Sequence, residues 1–283
     1  MNAPGIFLDM DLQRKIDFAI NLLRSIPQDG PIELSYSGGK DSDVILELAK
    51  MSGIPFEAIY KNTTIDPPGT IKHCKEKGVT ILKPKISFLK LVEQRGQPSR
   101  FARFCCEQLK EYKVYDRAIQ GIRRCESTKR AKLYKEPEMC RVYSAKEKVR
   151  VYLPILEWTD DDVAQFIEQR GIRCAPIYYD GGGQFHVERR LGCLGCPLRS
   201  DKGKADFKKY PNLLKAMMKA KSVFYETHPN AGQLFDRNIY NQTFFHFFCE
   251  TKEEYLTKIT GGLFPELAVD TKKYLEEYFG IEL

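Results

Sequence analysis

The chain has 283 residues, 42% of them hydrophobic and 29% charged, with a formal net charge of +7, which can fill an ordinary core and excludes a disordered chain or a fibre. No apolar run approaches the roughly 20 residues of a spanning helix, and the start "MNAPGIFLDMDLQRK" lacks the pattern of a signal peptide, so a soluble, cytoplasmic protein with no membrane partner is expected. Nine cysteines without an export signal argue against a disulfide scaffold and turn attention to metal ligation or redox chemistry.

In chain order, Leu12, Ile16, Ala19, Ile20, Leu23 and Ile26 recur at helical spacing until "PQDGP" stops them, predicting a helix within residues 1–30. "IELSYS" reads as a strand, "SDVILELAKMSG" as a helix closed by Gly53, "FEAIYKN" as a strand, "TIKHCKEKG" as a helix and "VTILKPK" as a third strand. "EQRGQPSRFARFCCEQLKEYKVY" reads as loop then helix, "RAIQGIRR" as a strand running into a basic loop, and "VRVYLPIL" as another strand. In "EWTDDDVAQFIEQRG", Thr159 is placed as an N-cap with acidic residues in the first turn, which suits the positive end of a helix. Strands alternating with helices predict an α/β fold with a doubly wound, Rossmann-like parallel sheet covered on both faces. From about Ser200 the strand pattern gives way to a helical, aromatic-rich region, residues 200–283.

Charge is unevenly placed. Residues 110–150 hold thirteen Lys and Arg against six Asp and Glu, an excess equal to that of the whole chain. This stretch is expected either to attract an anion, whether a nucleotide, a sulfated or phosphorylated small molecule or nucleic acid, or to form a solvated basic face.

The densest chemistry lies in "LSYSGGKDS". A strand, a Gly-Gly turn and a helix N-terminus make an anion site, because main-chain N–H groups and the helix dipole face the turn. Gly38 and Gly39 let the backbone approach a phosphate, Lys40 supplies a mobile charge, and Ser35, Ser37 and Ser42 supply hydroxyls. The spacing is neither that of a Walker A loop nor Gly-x-Gly-x-x-Gly. Through Ser37, Gly38, Gly39, Lys40, Asp41 and Ser42 it resembles the Ser-x-Gly-Gly-x-Asp-Ser loop of the PP-loop ATP pyrophosphatases. That resemblance implies binding of ATP, cleavage between the α and β phosphates, an adenylylated intermediate and a magnesium ion touched by Asp41.

Further stretches resemble the phosphoadenosine-phosphosulfate reductase branch of that superfamily, whose fold is adenine nucleotide alpha hydrolase-like. They are "NTTIDPPGTIKHCKEKG"; "GQPSRFARFCCEQLK" through Gly96, Pro98, Ser99, Arg100, Arg103, Cys105, Leu109 and Lys110; and "GIRRCESTKRA" through Gly121, Arg123, Glu126, Ser127, Arg130 and Ala131. "PILEWTDDDV" and "RLGCLGCPL" complete the order, so the resemblance covers about Ser35 to Arg199 and implies a nucleotide-binding domain over residues 31–199. Arginine makes bidentate contacts with phosphate or sulfate oxygens, which gives Arg123, Arg130 and Arg103 a reason to belong to a site. Lys40, Asp41, Arg123 and Arg130 are the candidate catalytic groups, and Gly121, Glu126 and Ser127 join the turn as candidate nucleotide contacts.

Cys105 and Cys106 are adjacent, and Cys193 and Cys196 stand at C-x-x-C spacing. Two thiolates two residues apart can reach one metal, and a second pair completes four ligands. In the resembling adenosine-phosphosulfate reductases, such an order ligates a [4Fe-4S] cluster; zinc suits the same thiolates. Cys140 and Cys174 are held in reserve, Cys74 and Cys125 read as packing residues, and Cys249 as an aromatic-core position.

The chain ends "KKYLEEYFGIEL" without the Glu-Cys-Gly-x-His context of the reductases' nucleophilic cysteine, and its turn is of the ATP-cleaving type. The same combination occurs in sulfur-inserting members that act on DNA or tRNA. The expectation is therefore an enzyme that adenylylates a substrate and uses the intermediate in sulfur transfer, with a sulfur donor or thiol reductant as partner. The rivals are a sulfonucleotide reductase and a non-catalytic nucleotide-binding regulator.

Overall fold

A computed structural model describes residues 11–144, 147–228, 231 and 237–283; the first ten residues of the expected N-terminal segment lie outside the described residues. The described residues within 1–62, 66–84 and 109–192 form one compact unit, and those within 63–65, 85–108 and 193–283 form another.

In the first unit, Asp11 caps helix α1 (Leu12–Arg24) by accepting from Arg14 N–H. The chain then alternates through β1 (Ile32–Tyr36), α2 (Lys40–Ser52), β2 (Glu57–Lys61), α3 (Thr70–Glu76) and β3 (Thr80–Leu82). After a passage through α4 (Phe88–Arg95) and α5 (Phe104–Leu109) of the second unit, it returns as β4 (Arg117–Gln120), α6 (Thr128–Leu133), β5 (Glu138–Ser144), β6 (Glu147–Tyr152) and α7 (Asp160–Gln169).

The six strands form one sheet in the order β3-β2-β1-β4-β6-β5, all parallel except β5, which runs against β6 at the edge. The expected parallel α/β sheet is thus present with one antiparallel strand added. β5 escaped the sequence reading because Arg141 interrupts the "EMCRVYS" run and its alternation is poor. α4 has no counterpart in the sequence expectations, which begin a loop at Glu93, within its last turn; Ser87 caps it by accepting from Lys90 N–H, and Phe88, Leu91 and Val92 are its buried stripe.

One face of the sheet is apolar. Ile32, Leu34 and Tyr36 of β1, Ala58 and Tyr60 of β2 and Ile119 of β4 share a core with Ala19 and Leu23 of α1, Ile45 and Leu48 of α2 and Phe166 of α7. Truncating one of these, such as Leu48→Ala, would cost about 2–5 kcal/mol, since the site can only partly collapse. Thr159 caps α7 as expected, accepting from Asp162 N–H, and the Asp162 carboxylate takes a 2.6 Å hydrogen bond from buried Lys15 of α1. Burial alone would raise that carboxyl, yet Lys15 and Thr159 hold it below its usual range.

The second unit is helical: α4 and α5, then α8 (Lys204–Lys209), α9 (Pro211–Thr227), α10 (Ile239–Phe248), α11 (Lys252–Thr260) and α12 (Thr271–Phe279). Its aromatics fill the interior. Phe207, Phe247 and Phe279 meet edge to face at centroid separations of 5.5 to 6.5 Å, and Cys249 is buried among Phe244, Phe245 and Phe248. Among the described residues no helix is long and apolar enough to cross a membrane.

Candidate functional site

β1 has β2 on one side and β4 on the other, and the chain crosses over between them after β3. The loops after β1 and β4 therefore diverge. A crevice at the carboxyl ends of the strands, at such a switch point, is where open α/β sheets bind ligands.

The loop after β1 is the Gly-Gly turn. Gly38 sits at φ +78°, and a Cβ there would lie 3.1 Å from Thr70 and 3.2 Å from Leu191, so both the dihedral and the space require glycine. Gly39 is the N-cap of α2, and the Ser42 hydroxyl donates back to its carbonyl at 2.6 Å. Ser37 Oγ lies 3.3 Å from Ser42 Oγ, so two of the expected serines face each other across the turn. The fully buried Tyr178 packs on the turn, and burial pushes its phenol up to about 12 against main-chain hydrogen bonds from Lys40 and Leu191.

Lys40 is not the mobile charge expected from the sequence. It is 3% exposed, with its ammonium 3.3 Å from Asp41 and 5.6 Å from the centre of the Tyr178 ring. Its side chain is buried at the first turn of α2, between Asp41 and Tyr178. Asp41 accepts in turn from Arg123 Nε at 2.7 Å, and Arg123, 1% exposed, donates also to Asp160 at 2.8 Å. Burial lowers the Arg123 guanidinium, but Asp41 and Asp160 outweigh it and hold it above its ordinary range. A chain Lys40–Asp41–Arg123–Asp160 thus crosses the crevice from the β1 loop to the β4 loop.

Gly121 allows that closeness. A Cβ on it would stand 2.9 Å from the Asp41 carbonyl oxygen. Ser127 caps α6 by accepting from Arg130 N–H, while Glu126 accepts from Arg123 N–H and ion-pairs with Arg130. Cys125, read as a packing residue, is instead exposed; its thiol donates to the Trp158 carbonyl at 3.2 Å, because the β4 loop runs along the surface.

Beside the turn lies a cavity of about 310 Å³. Ser35, Ser37, Arg130 and Lys110 among the expected residues line it, together with Glu33, Lys61, Gln120, Glu111 and Arg141. All six arginines of 110–150 are ion-paired within this unit, so the basic excess of that stretch is largely balanced locally; Lys129, Lys132 and Lys135 are exposed.

The cysteine pairs belong to the second unit. Gly195 N–H, within Cys193–Cys196, donates to Asp206 at 2.9 Å, and Arg199 pairs with the same carboxylate at 2.8 Å. Arg100 donates to the carbonyls of Pro197 and Arg199, tying the segment before Cys105 to the loop of Cys196. A hydrogen bond to Cys106, burial and the nearby Cys193 push the Cys105 thiol well above its ordinary range. Thiols that hinder one another's ionisation suit a cation that would neutralise them. Among the described residues no group of three or more His, Cys, Asp or Glu side chains is disposed to hold a metal ion, so the set fits such a group by donor chemistry and not by ready-made geometry. Cys140 is exposed on β5 of the first unit, and Cys174 is buried.

The family model of the phosphoadenosine phosphosulfate reductase domain matches residues 31–199. The chain belongs to that family.

Within the phosphoadenosine phosphosulfate reductase family and its relatives, similarity runs to several kinds of protein. An uncharacterized protein of Methanocaldococcus jannaschii is 32% identical over 180 residues, covering 59% of this chain and 41% of its own length. Sulfate adenylyltransferase subunit 2 of Psychromonas ingrahamii is 28% identical over 198 residues, covering 57% of this chain and 65% of its own. The chain thus spans less than two thirds of either relative. The crystal structure of phosphoadenylyl-sulfate reductase from Candida auris, a phosphate complex, aligns with 14% identity and a TM-score of 0.43, covering 67% of this chain and 91% of that one; so loose a likeness carries no functional weight.

Two features of the site escaped the sequence reading. Asp43, 2% exposed, accepts from Tyr36 at 2.5 Å and lies 3.1 Å from His73 and 3.6 Å from Lys77, anchoring α2 to α3 behind the turn. Glu33 and Lys61 pair at 3.1 Å across β1 and β2. An acid inside a strand of apolar neighbours was the signal for Glu33. Nothing in the sequence marked Asp43 beyond its place in the helix's first turn.

Proposed function

We propose that this member of the family binds ATP with its phosphates at the Ser37–Ser42 turn and transfers the adenylyl group to a substrate oxygen. The observation that carries this reading is the turn itself: Gly38 at φ +78°, Gly39 as the N-cap of α2, and buried Lys40 beside it. In the step proposed, the acceptor oxygen attacks the α phosphorus, the bond to the bridging oxygen of the β phosphate breaks, and pyrophosphate leaves with that electron pair. The residues act by position and charge. Lys40 and the α2 N-terminus face the departing pyrophosphate, and the Asp41–Arg123–Asp160 chain holds Lys40 in place, which suits a reaction governed by electrostatic stabilisation. Magnesium bound with the nucleotide would neutralise phosphate charge, Asp41 being the carboxylate within the Ser37–Ser42 run.

Sulfur transfer follows in this reading: a sulfur nucleophile displaces AMP from the adenylylated acceptor, forming the carbon– or phosphorus–sulfur bond as the bond to the AMP-bearing oxygen breaks. Cys105, Cys106, Cys193 and Cys196 are the residues that would hold a [4Fe-4S] cluster or, in its place, zinc; the cluster when bound would supply sulfur or electrons. Exchange of labelled pyrophosphate into ATP tests adenylyl transfer, and its absence with every acceptor tried counts against it.

The family match supports a second reading, reduction of an adenylyl sulfate with a thiol donor. Sulfite release from adenylyl sulfate by the purified protein, without pyrophosphate exchange, would favour it.

A further inference from the structure

The cavity beside the turn sits on an unusual floor. Strands of a parallel sheet covered by helices are ordinarily apolar on both faces. On β1, alternate residues Ile32, Leu34 and Tyr36 enter the core, which turns Glu33 and Ser35 to the opposite face. The register sets Ser35 beside Ile59 of β2 and Gln120 of β4 on that face. Glu33 is 2% exposed, accepts from Ser35 Oγ at 2.7 Å and pairs with Lys61 at 3.1 Å. Lys61 also donates to the Tyr112 carbonyl at 2.7 Å.

We infer that this cavity takes a nucleoside whose ribose hydroxyls are free, and that the buried Glu33–Lys61 pair excludes a nucleotide phosphorylated on that ribose. The inference rests on the nucleotide reading above and specifies its ligand. Ser37 belongs both to the cavity and to the phosphate turn, so a nucleotide with its 5′ phosphates at the turn directs its nucleoside over Ser35 and Glu33. The volume, about 310 Å³, falls at the lower end of small-molecule sites.

Charge decides which nucleoside. Each cation of the lining has a carboxylate partner in the same unit: Lys61 with Glu33, Lys110 with Asp66 at 3.8 Å, Arg141 with Glu111 at 3.5 Å, and Arg130 with Glu126. A ribose phosphate dianion entering here would have to draw a cation away from its carboxylate. At the outer, partly exposed pairs water can compensate. At Glu33 it cannot, and a buried carboxylate left without its lysine beside a second anion is strongly unfavourable. Hydroxyl groups meet the opposite treatment, since they donate to the carboxylate and leave the ion pair intact.

The test is calorimetric titration of the full chain with a non-hydrolysable ATP analogue and with the same analogue carrying a 3′-phosphate. The unmodified analogue is expected to bind at least tenfold more tightly. Glu33→Gln should narrow that gap at least threefold. Glu33→Ala removes the same carboxylate with a smaller side chain and should narrow it in the same direction, which guards against a Glu33→Gln variant that fails to fold. A 3′-phosphorylated analogue that binds as tightly or more tightly overturns this inference and leaves the nucleotide reading standing. An unchanged gap in both folded variants also overturns it. If neither analogue binds, the nucleotide reading itself falls.

Discussion

The phosphate turn and the cysteine loops carry the two halves of the proposed chemistry, and they are built in opposite ways. At the turn, six consecutive residues hold the main-chain geometry, and neighbours lock it: Gly38 against Thr70 and Leu191, Gly121 against Asp41. In the cysteine loops the ties are made by side chains, Arg100 reaching two carbonyls 97 and 99 positions along the chain and Asp206 holding Gly195 and Arg199 of the adjoining loop, while the thiols themselves adopt no ready metal geometry. A turn whose function resides in its backbone arrives complete with the fold. A thiol set is finished only by the ion it takes.

The largest effect that would break this comparison is at Lys40. Lys40→Met is expected to lower pyrophosphate exchange by roughly 100- to 1,000-fold, as loss of a preorganised charge does, without lowering the unfolding midpoint, because a buried charge gives way to an apolar chain of similar length. Retained exchange would show that the turn does not act through its lysine.

Next comes the double variant Cys193→Ser, Cys196→Ser. Protein purified without oxygen should carry about four iron and four sulfide per chain, lost in the variant, if the thiols hold a cluster; its affinity for the ATP analogue should not change. Zinc alone in the wild type would make the loops structural.

Gly121→Ala sharpens the contrast on the side of the turn. The added methyl collides with the Asp41 carbonyl, and overpacking of this kind costs about 1–3 kcal/mol. Exchange should fall roughly tenfold, as small displacements of positioned groups allow, while metal content stays that of the wild type. Loss of metal in this variant would contradict separate construction of the two regions.

The smallest effect is a pH slope in the second unit. Lys221, buried on α9, donates to Gln97 Oε1 and the Gln242 carbonyl, and burial lowers its ammonium to about 7. Below that value both folded and unfolded chains carry the charge, and the native state bears the full cost of burying it. Between about 7 and the ordinary lysine value of 10.5 the unfolded chain binds a proton that the folded chain does not, so this group makes stability rise with pH, by up to roughly 1.4 kcal/mol per unit. Lys221→Met should flatten the slope relative to wild type in denaturant melts at pH 7 and 9. Equal slopes would mean that Lys221 stays charged when folded.

Much of this was legible in the sequence where information is local. Helical spacing located α1, the Thr159 cap marked the start of α7, and Gly-Gly ahead of a helical pattern located the turn that opens α2, the candidate anion site. β5 and α4 were missed, since Arg141 broke one alternation and the proline- and arginine-rich stretch beyond Gly96 obscured the other's end. The burial of Lys40 was missed for a different reason: its partners Arg123 and Tyr178 lie far along the chain, and no pattern in "GGKDS" discloses them.

By itself, then, the sequence determined the alternation of strands and helices, the Gly-Gly turn before α2 and the inventory of thiols, all of which follow from backbone preference and residue chemistry within short windows. Only the tertiary structure decided that β1 and β4 are neighbours around a switch point, that the Lys40–Asp41–Arg123–Asp160 chain spans it, and that Glu33 and Lys61 form the buried floor of the cavity. The physical reason is that a charge's behaviour is set by what surrounds it in space, and for these residues those surroundings are contributed by segments that the chain brings together only when the sheet forms.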